Sequence, residues 1–402
     1  MATFTSTVYQ NEFLPDGGTD VNAIVRVGVQ GAGKAGSGSG GPAGEIIIID
    51  SSGSMGKRNM EAAKHAAMVA LEHVADGAYF AVVAGTERAY LAYPMVRSGQ
   101  GMARMTPRAR LEAQEAIGWL QSDGGTAIGQ WLRLALALFQ SMGGTLGQQH
   151  AILLTDGENR DETPMDLDNA IRQCVGQFQC DCRGVGTDWI VSEIRKVATA
   201  LLGTVDIIGD PSRLGDEFAT LMQASMARGV AEAQLRVWTP QGAQLLFARQ
   251  VSPTVEDLSA RGVPVGPLTV GFPTGSWGDE ERDYHVAVRL PAKTIGQEQL
   301  AARVQMVVND EVQTQGLVKA TWSSDEALTT RINAEVAHYT GQTELAAAIQ
   351  DGLAAKAAGD LGTATTKLGR AVQLAQATGN VEATTRLRKV VDVKDAESGT
   401  VR

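Results

Sequence analysis

Cysteine is scarce: Cys174, Cys180 and Cys182 are the only three in 402 residues. A small odd number argues against a disulfide framework. Cys180 and Cys182 fall two apart on one expected strand, where side chains share a face but diverge too far to bridge easily. With no histidine nearby to complete a ligand set, they are expected to be buried thiols and not a metal or redox centre. The sequence also lacks any uninterrupted apolar run of about 18 residues, so no transmembrane helix is expected. The opening segment Met1-Ala2-Thr3-Phe4-Thr5-Ser6 has no basic start followed by an apolar stretch, and a cytoplasmic location is expected. Basic excess is missing too. The formal net charge of -10 disfavours nucleic acid and anionic lipid as partners, because both select for basic surfaces.

The signatures of catalysis are equally sparse. Five histidines, His65, His73, His150, His285 and His338, are scattered without a serine elbow or H-E-x-x-H spacing, and are read as surface or structural residues. Lys34 lies in a glycine tract that lacks the strand-loop-helix context and G-x-x-x-x-G-K-[ST] pattern of a phosphate-binding loop. No nucleophile-base pair is evident, and the chain is not expected to be an enzyme.

What is present is enough apolar material for real cores: 44% hydrophobic residues, 20% charged, and a mean hydropathy of -0.08. At this length two or three domains are expected. Asn22 to Gln30 alternates, with Ala23, Val25, Val27 and Val29 on one face, as in a half-buried strand. A glycine/serine tract from Gly31 to Gly41 follows, with the composition of a flexible linker. Residues 1–40 are therefore read as one strand plus a linker.

From 45 to 228 short apolar runs alternate with helical stretches. Candidate strands are 45–49, 79–84, 150–155, 178–184 and 205–208, with a short edge strand at 90–95 ended by Pro94. This is the pattern of a parallel-rich sheet covered by helices on both faces. Residues 229–322 change to period-two patterning, expected of an antiparallel β-sandwich. The strand at 22–30 has the same character, which predicts that it pairs into that sandwich and that the α/β domain is inserted there. Residues 323–393 are expected to form a helical bundle, with helices around 327–339 ending at Gly341, 344–358, 363–378 and 383–391. Residues 394–402 are expected as a flexible tail.

The strongest local signal is Asp50-Ser51-Ser52-Gly53-Ser54, directly after the apolar run Ile46 to Ile49. Ligands of open α/β sheets bind beyond the carboxyl ends of the strands, where this loop must lie. One carboxylate and two hydroxyls offer half the octahedral oxygen shell of a hard cation such as Mg²⁺. Asp123-Gly124-Gly125-Thr126 precedes a second helix, and Ile152-Leu153-Leu154-Thr155-Asp156-Gly157 ends another strand in a carboxylate. The set D-x-S-x-S, G-G-T and T-D-G resembles the metal-ion-dependent adhesion site of von Willebrand factor A (VWA) domains, shared with integrin inserted domains. Val185-Gly186-Thr187-Asp188 resembles the turn into the last helices of such a domain.

The resemblance is to an intracellular bacterial VWA protein. It implies direct metal ligation by Ser52, Ser54 and Thr126, with Asp50 and Asp156 acting directly or through water. It implies Mg²⁺, with Mn²⁺ or Ca²⁺ as alternatives, and a sixth position for a carboxylate from a protein partner. Asp123, Glu158 and Asn159 are read as turn or solvated residues, with a rim role as the alternative. The function expected is a cation-dependent protein-binding scaffold or regulator. A non-catalytic partner of an ATPase or kinase system is the alternative, and a metal-dependent hydrolase ranks last.

Overall fold

The structure, a computed structural model, describes residues 2–35, 41–95, 101–156, 159–185, 191–208, 211–331, 333–377, 387, 393–395 and 400–401. The chain opens with β1 (Thr3–Gln10), β2 (Phe13–Leu14) and β3 (Asp20–Gln30). In β3 the predicted face is buried at Val21, Ala23, Val25, Val27 and Val29, but the strand is not half-buried as expected, since Ile24 and Gly28 on the other face are buried too. β1 pairs antiparallel along β3, from Thr3 opposite Gln30 to Gln10 opposite Ala23. Its threonine and serine residues hide this strand from a hydrophobic-period reading; Phe4 and Val8 pack against the sandwich core and Tyr9 against Ile24 and Tyr339.

The α/β part then runs β4 (Ala43–Asp50), α1 (Gly56–His73), β5 (Tyr79–Gly85), β6 (Ala89–Tyr93), β7 (Ala103–Arg104) and α2 (Pro107–Gly118). It continues through α3 (Ile128–Ser141), β8 (Gln148–Thr155), α4 (Pro164–Cys174), β9 (Gln179–Val185), α5 (Val191–Ala200), β10 (Val205–Ile208) and α6 (Leu214–Met226). The sheet order is β10-β9-β8-β4-β5-β6, parallel except for β6 and the short β7, which both pair antiparallel with β5.

Every residue of the central strand β4 is buried. Ile47 and Ile49 pack with Met60, Leu71, Ile117 and Phe218 of α1, α2 and α6. Ile46 and Ile48 pack with Ile128, Trp131, Ile171 and Val197 of α3, α4 and α5. Each buried isoleucine contributes about 1.5–3 kcal/mol, which is why the apolar run must sit at the sheet's centre. Cys174, Cys180 and Cys182 are buried free thiols in the second of these cores.

β11 (Val230–Trp238), β12 (Gln244–Ser252), β13 (Glu256–Asp257), β14 (Val263–Gly266), β15 (Thr269–Trp277), β16 (Glu281–Arg289), β17 (Glu298–Val308) and β18 (Glu311–Trp322) follow. They form two sheets, β1-β3-β16-β12-β13 and β14-β15-β11-β17-β18-β2, around a core that includes Val25, Leu235, Trp277, Tyr284 and Trp322. β3 pairs with β16 from Gly28 opposite Glu281 to Asp20 opposite Arg289. The α/β unit is therefore an insertion into a sandwich, as the shared alternation predicts. Its two connections touch: Ala35 N donates to the Met226 carbonyl at 2.9 Å, and a β-carbon on Gly229 would lie 1.8 Å from the Ala32 carbonyl. Of the glycine tract, residues 36–40 lie outside the described residues.

The C-terminal helices are α7 (Glu326–Thr329), α8 (Ala334–Ala357) and α9 (Leu361–Ala377). Gly341 does not end a helix; α8 runs through it, at the cost of about 1 kcal/mol that an interior glycine carries. The break falls earlier, where the Asn333 side chain accepts from the amides of Glu335 and Val336. The start of α8 docks on the sandwich through Tyr339, whose hydroxyl donates to Asp283 Oδ2, while Arg26 grips the same carboxylate with two bonds of 2.8 Å. Of the helix expected at 383–391, Leu387 alone is described, and it is helical. Where a flexible tail is expected, β19 (Val393–Asp395) pairs with β20 (Thr400–Val401).

At the end of the α/β sheet nearest the sandwich, His150 is fully buried between two carboxylates. Its Nδ1 lies 2.7 Å from Glu45 Oε2 and its Nε2 2.9 Å from Asp181 Oδ2. Ser225 of α6 donates to Glu45 at 2.7 Å, and the Thr204 amide to Asp181 at 2.6 Å. Burial opposes the charge on His150, but the charge of Glu45 and the bond to Asp181 outweigh it and raise the imidazole to about 9. A raised histidine stabilises the fold fully below its ordinary pKa and loses that stabilisation as pH rises through the folded value. Unfolding by denaturant should thus show stability falling from about pH 6.5 to about pH 9. His150→Gln should be destabilised at pH 6.5 and lack that slope; an unchanged slope would remove the triad as its origin.

Candidate metal centre

β4 ends at Asp50, whose side chain is wholly buried at the carboxyl edge of the sheet. The next turns are stitched to two neighbouring segments by three backbone bonds. Ser51 N donates to Gly85 O (2.7 Å), Gly53 N to Gly124 O (2.9 Å), and Asp123 N to Ser51 O (2.8 Å). Ser122 Oγ adds a bond of 2.6 Å to Ser52 O. These bonds bring the segment 122–126 beside 50–54, across 70 residues of chain.

Within this frame four of the five predicted residues, Asp50, Ser52, Ser54 and Asp156, are brought together by hydrogen bonds. Ser52 N donates to Asp50 Oδ1 at 2.8 Å, and the Thr155 hydroxyl donates to Asp50 Oδ2. Ser52 Oγ and Ser54 Oγ lie 2.9 Å apart, and Ser54 Oγ donates to Asp156 Oδ1 at 2.9 Å. Asp50, Ser52, Thr126 and Asp156 are buried, whereas Gly53 and Ser54 are exposed, so the cluster opens to solvent on one side. Thr126 is set by its backbone: its amide donates to Asp161 Oδ2 at 2.7 Å and its carbonyl accepts from Asp161 N at 2.9 Å. Carboxylates and hydroxyls converging in one cluster suit a hard cation of the Mg²⁺ or Ca²⁺ kind.

Burial raises the Asp50 carboxyl to about 6, against the hydrogen bonds from Ser52 and Thr155 and with a further push from the charge of Asp156. The ionised form is therefore costly unless a cation accompanies it.

Two residues that the sequence does not single out, Asn59 and Glu87, join the site. Asn59, on the first turns of α1, donates to Asp156 Oδ2 at 3.0 Å. Glu87 accepts the Gly125 amide at 2.9 Å, which holds its carboxyl below the ordinary range. Asn159 is a capping residue, accepting the Ile128 amide at 2.8 Å, and the exposed Asp123 accepts the Gly124 amide at 2.8 Å. Gly157, Glu158 and the turn 186–188 lie outside the described residues. Spacing alone has no signal for Asn59 or Glu87, whose roles depend on where other loops arrive.

The sequence matches the von Willebrand factor type A domain over residues 45–207 and the von Willebrand factor type A C-terminal domain over 373–402. A solved von Willebrand factor type A structure from Catenulispora acidiphila is 46% identical, with 100% of this chain and 92% of that chain covered at a TM-score of 0.92. The chain belongs to the von Willebrand factor type A family.

VWA domains commonly hold a divalent cation at a metal-ion-dependent adhesion site, and often mediate protein-protein interactions. The ArnB paralog VWA2 of Sulfolobus acidocaldarius shares the fold at 15% identity and a TM-score of 0.57, over 99% of this chain and 95% of that one. Uncharacterized protein sll0103 of Synechocystis is 27% identical over 226 residues; the match spans 54% of this chain and 50% of that protein. No helix among the described residues is long and apolar enough to cross a membrane.

The raised Asp50 carboxyl gives this VWA site a testable pH dependence. A carboxyl raised in the folded state destabilises the fold when ionised, and the penalty fades as pH falls through about 6 towards the ordinary range. In chelator, Asp50→Asn should unfold at a higher temperature than the wild type at pH 7.5, with the gap closing by about pH 4. A gap that is constant with pH would rule out Asp50 ionisation as its cause.

Proposed function

We propose that this VWA protein is a divalent-cation-dependent protein-binding module. The observation that carries the reading is the continuous hydrogen-bonded run Ser52 Oγ to Ser54 Oγ to Asp156 Oδ1, both links 2.9 Å, beside the buried Asp50. Ser52, Ser54 and Thr126 would ligate Mg²⁺ directly, and Asp50 and Asp156 directly or through water; Mn²⁺ and Ca²⁺ have the same preference for these oxygens. A carboxylate from a protein partner would occupy the position open to solvent above Ser54. The module acts as a scaffold or regulator inside the cytoplasm, and binding, not turnover, is its activity. The net charge of -10 favours a protein partner over nucleic acid or an anionic membrane.

The reading is tested in two steps. Mg²⁺ should raise the thermal midpoint of the wild type and leave Asp50→Ala unmoved, because a ligand that binds only the folded state stabilises it by mass action. Affinity capture should then retain a partner in Mg²⁺ and release it in chelator. Partners held equally in both conditions would sink the metal bridge, and turnover by the purified protein that Asp50→Ala abolishes would replace the binder with an enzyme.

A further inference from the structure

Helix α3 begins with an unusual density of external acceptors. The amides of a helix's first turn have no intrahelical partner, and commonly one side chain caps one or two of them. Here five consecutive amides are each met from outside. Gly125 N donates to Glu87 Oε2 (2.9 Å), Thr126 N to Asp161 Oδ2 (2.7 Å) and Ala127 N to the Thr86 carbonyl (3.1 Å). Ile128 N donates to Asn159 Oδ1 (2.8 Å) and Gly129 N to Glu162 Oε1 (2.6 Å).

The glycines of Gly124-Gly125-Thr126-Ala127-Ile128-Gly129 are the places where these carboxylates pass. A β-carbon on Gly124 would sit 2.3 Å from Glu87 Oε2, on Gly125 2.1 Å from Asp161 Oδ2, and on Gly129 2.6 Å from Glu162 Oε2. All three contacts are closer than non-bonded carbon and oxygen tolerate. The carboxylates are pinned by the amide bonds above, so they cannot swing aside without breaking them.

Asp161 stands apart from the others. Its side chain takes the Thr126 amide and its own amide returns a bond of 2.9 Å to the Thr126 carbonyl. Both backbone polar groups of Thr126 are thus held by one residue, five positions beyond Asp156 in the chain. The residue that presents a hydroxyl and the segment that follows a carboxylate are locked to each other.

We propose that Asp161 is the positioning residue of the cation site, its reciprocal bonds fixing Thr126 relative to the loop that carries Asp156 so that both reach one ion together. The inference rests on the reading of Asp50, Ser52, Ser54, Thr126 and Asp156 as a metal site. It assigns Asp161 no bond to the cation. Outer-sphere groups that orient metal ligands typically change metal affinity by about 10–100-fold when removed.

The test measures Mg²⁺ affinity by calorimetry, and the thermal midpoint in chelator, for the full chain and four variants. Asp161→Ala should weaken Mg²⁺ binding by about 10–100-fold. Asp161→Asn keeps a carbonyl acceptor for the Thr126 amide and should recover most of that loss, which separates the hydrogen bond from the charge. Gly125→Ala drives its β-carbon into the same carboxylate and should also weaken binding, so the result does not depend on one variant folding. Asp166→Ala removes the capping box of α4, away from Thr126, and should lower the midpoint without changing affinity. Wild-type affinity in Asp161→Ala, an equal affinity loss in Asp166→Ala, or no recovery in Asp161→Asn overturns the inference. A wild type that does not bind Mg²⁺ overturns the metal reading first, and this inference with it.

Discussion

The carboxylate of Asp50 sits at the end of a strand whose every residue is buried, where an ionised group is costly unless something neutralises it. The bonds to that carboxylate come from the Ser52 amide and the Thr155 hydroxyl. Two hydroxyls and a second carboxylate lie alongside. A second carboxylate makes the deficit worse unless a cation is shared between them. The stitching of 50–54 to 85 and 122–124 follows from the same demand, since oxygens from separate loops can serve one ion only when the loops are fixed.

The insertion separates tasks along the sheet. The oxygen cluster lies at the carboxyl ends of β4 and β8, and the attachment to the sandwich lies at the opposite end, near Ala35, Met226 and the His150 triad. An eight-residue strand spans about 26 Å, so the cluster lies well removed from the sandwich. The triad ties β4, β8, β9 and α6 together at the attached end, through Glu45, His150, Asp181 and Ser225. The open end thus extends from a base held by buried charge.

Much of this was legible in the residues. Asp50, Ser52 and Ser54 lie within five positions, directly after the four isoleucines Ile46 to Ile49, so both the loop and its place at a sheet edge can be read locally. Alternation in β3 was enough to predict that it joins the sandwich; the structure gives its partner as β16, with 250 residues between them. Less was visible where local pattern and final environment part company. β1 has polar residues facing a partly covered surface, and α8 runs through Gly341 because its helical neighbours on both sides outweigh one weak position. The three carboxylates around α3 belong to two loops whose meeting place is set by the fold.

Sequence by itself determined the periodicities, and with them the α/β insertion, the sandwich and the oxygen donors at the ends of β4 and β8, because burial and strand geometry act over neighbouring residues. Tertiary structure alone decided which amides Glu87, Asp161 and Glu162 would meet, how Asn59 reaches Asp156, and that His150 is buried between Glu45 and Asp181 and not at the surface. Those contacts join segments tens to more than a hundred residues apart, and a hydrogen bond of under 3 Å exists only once packing has brought both partners to one place.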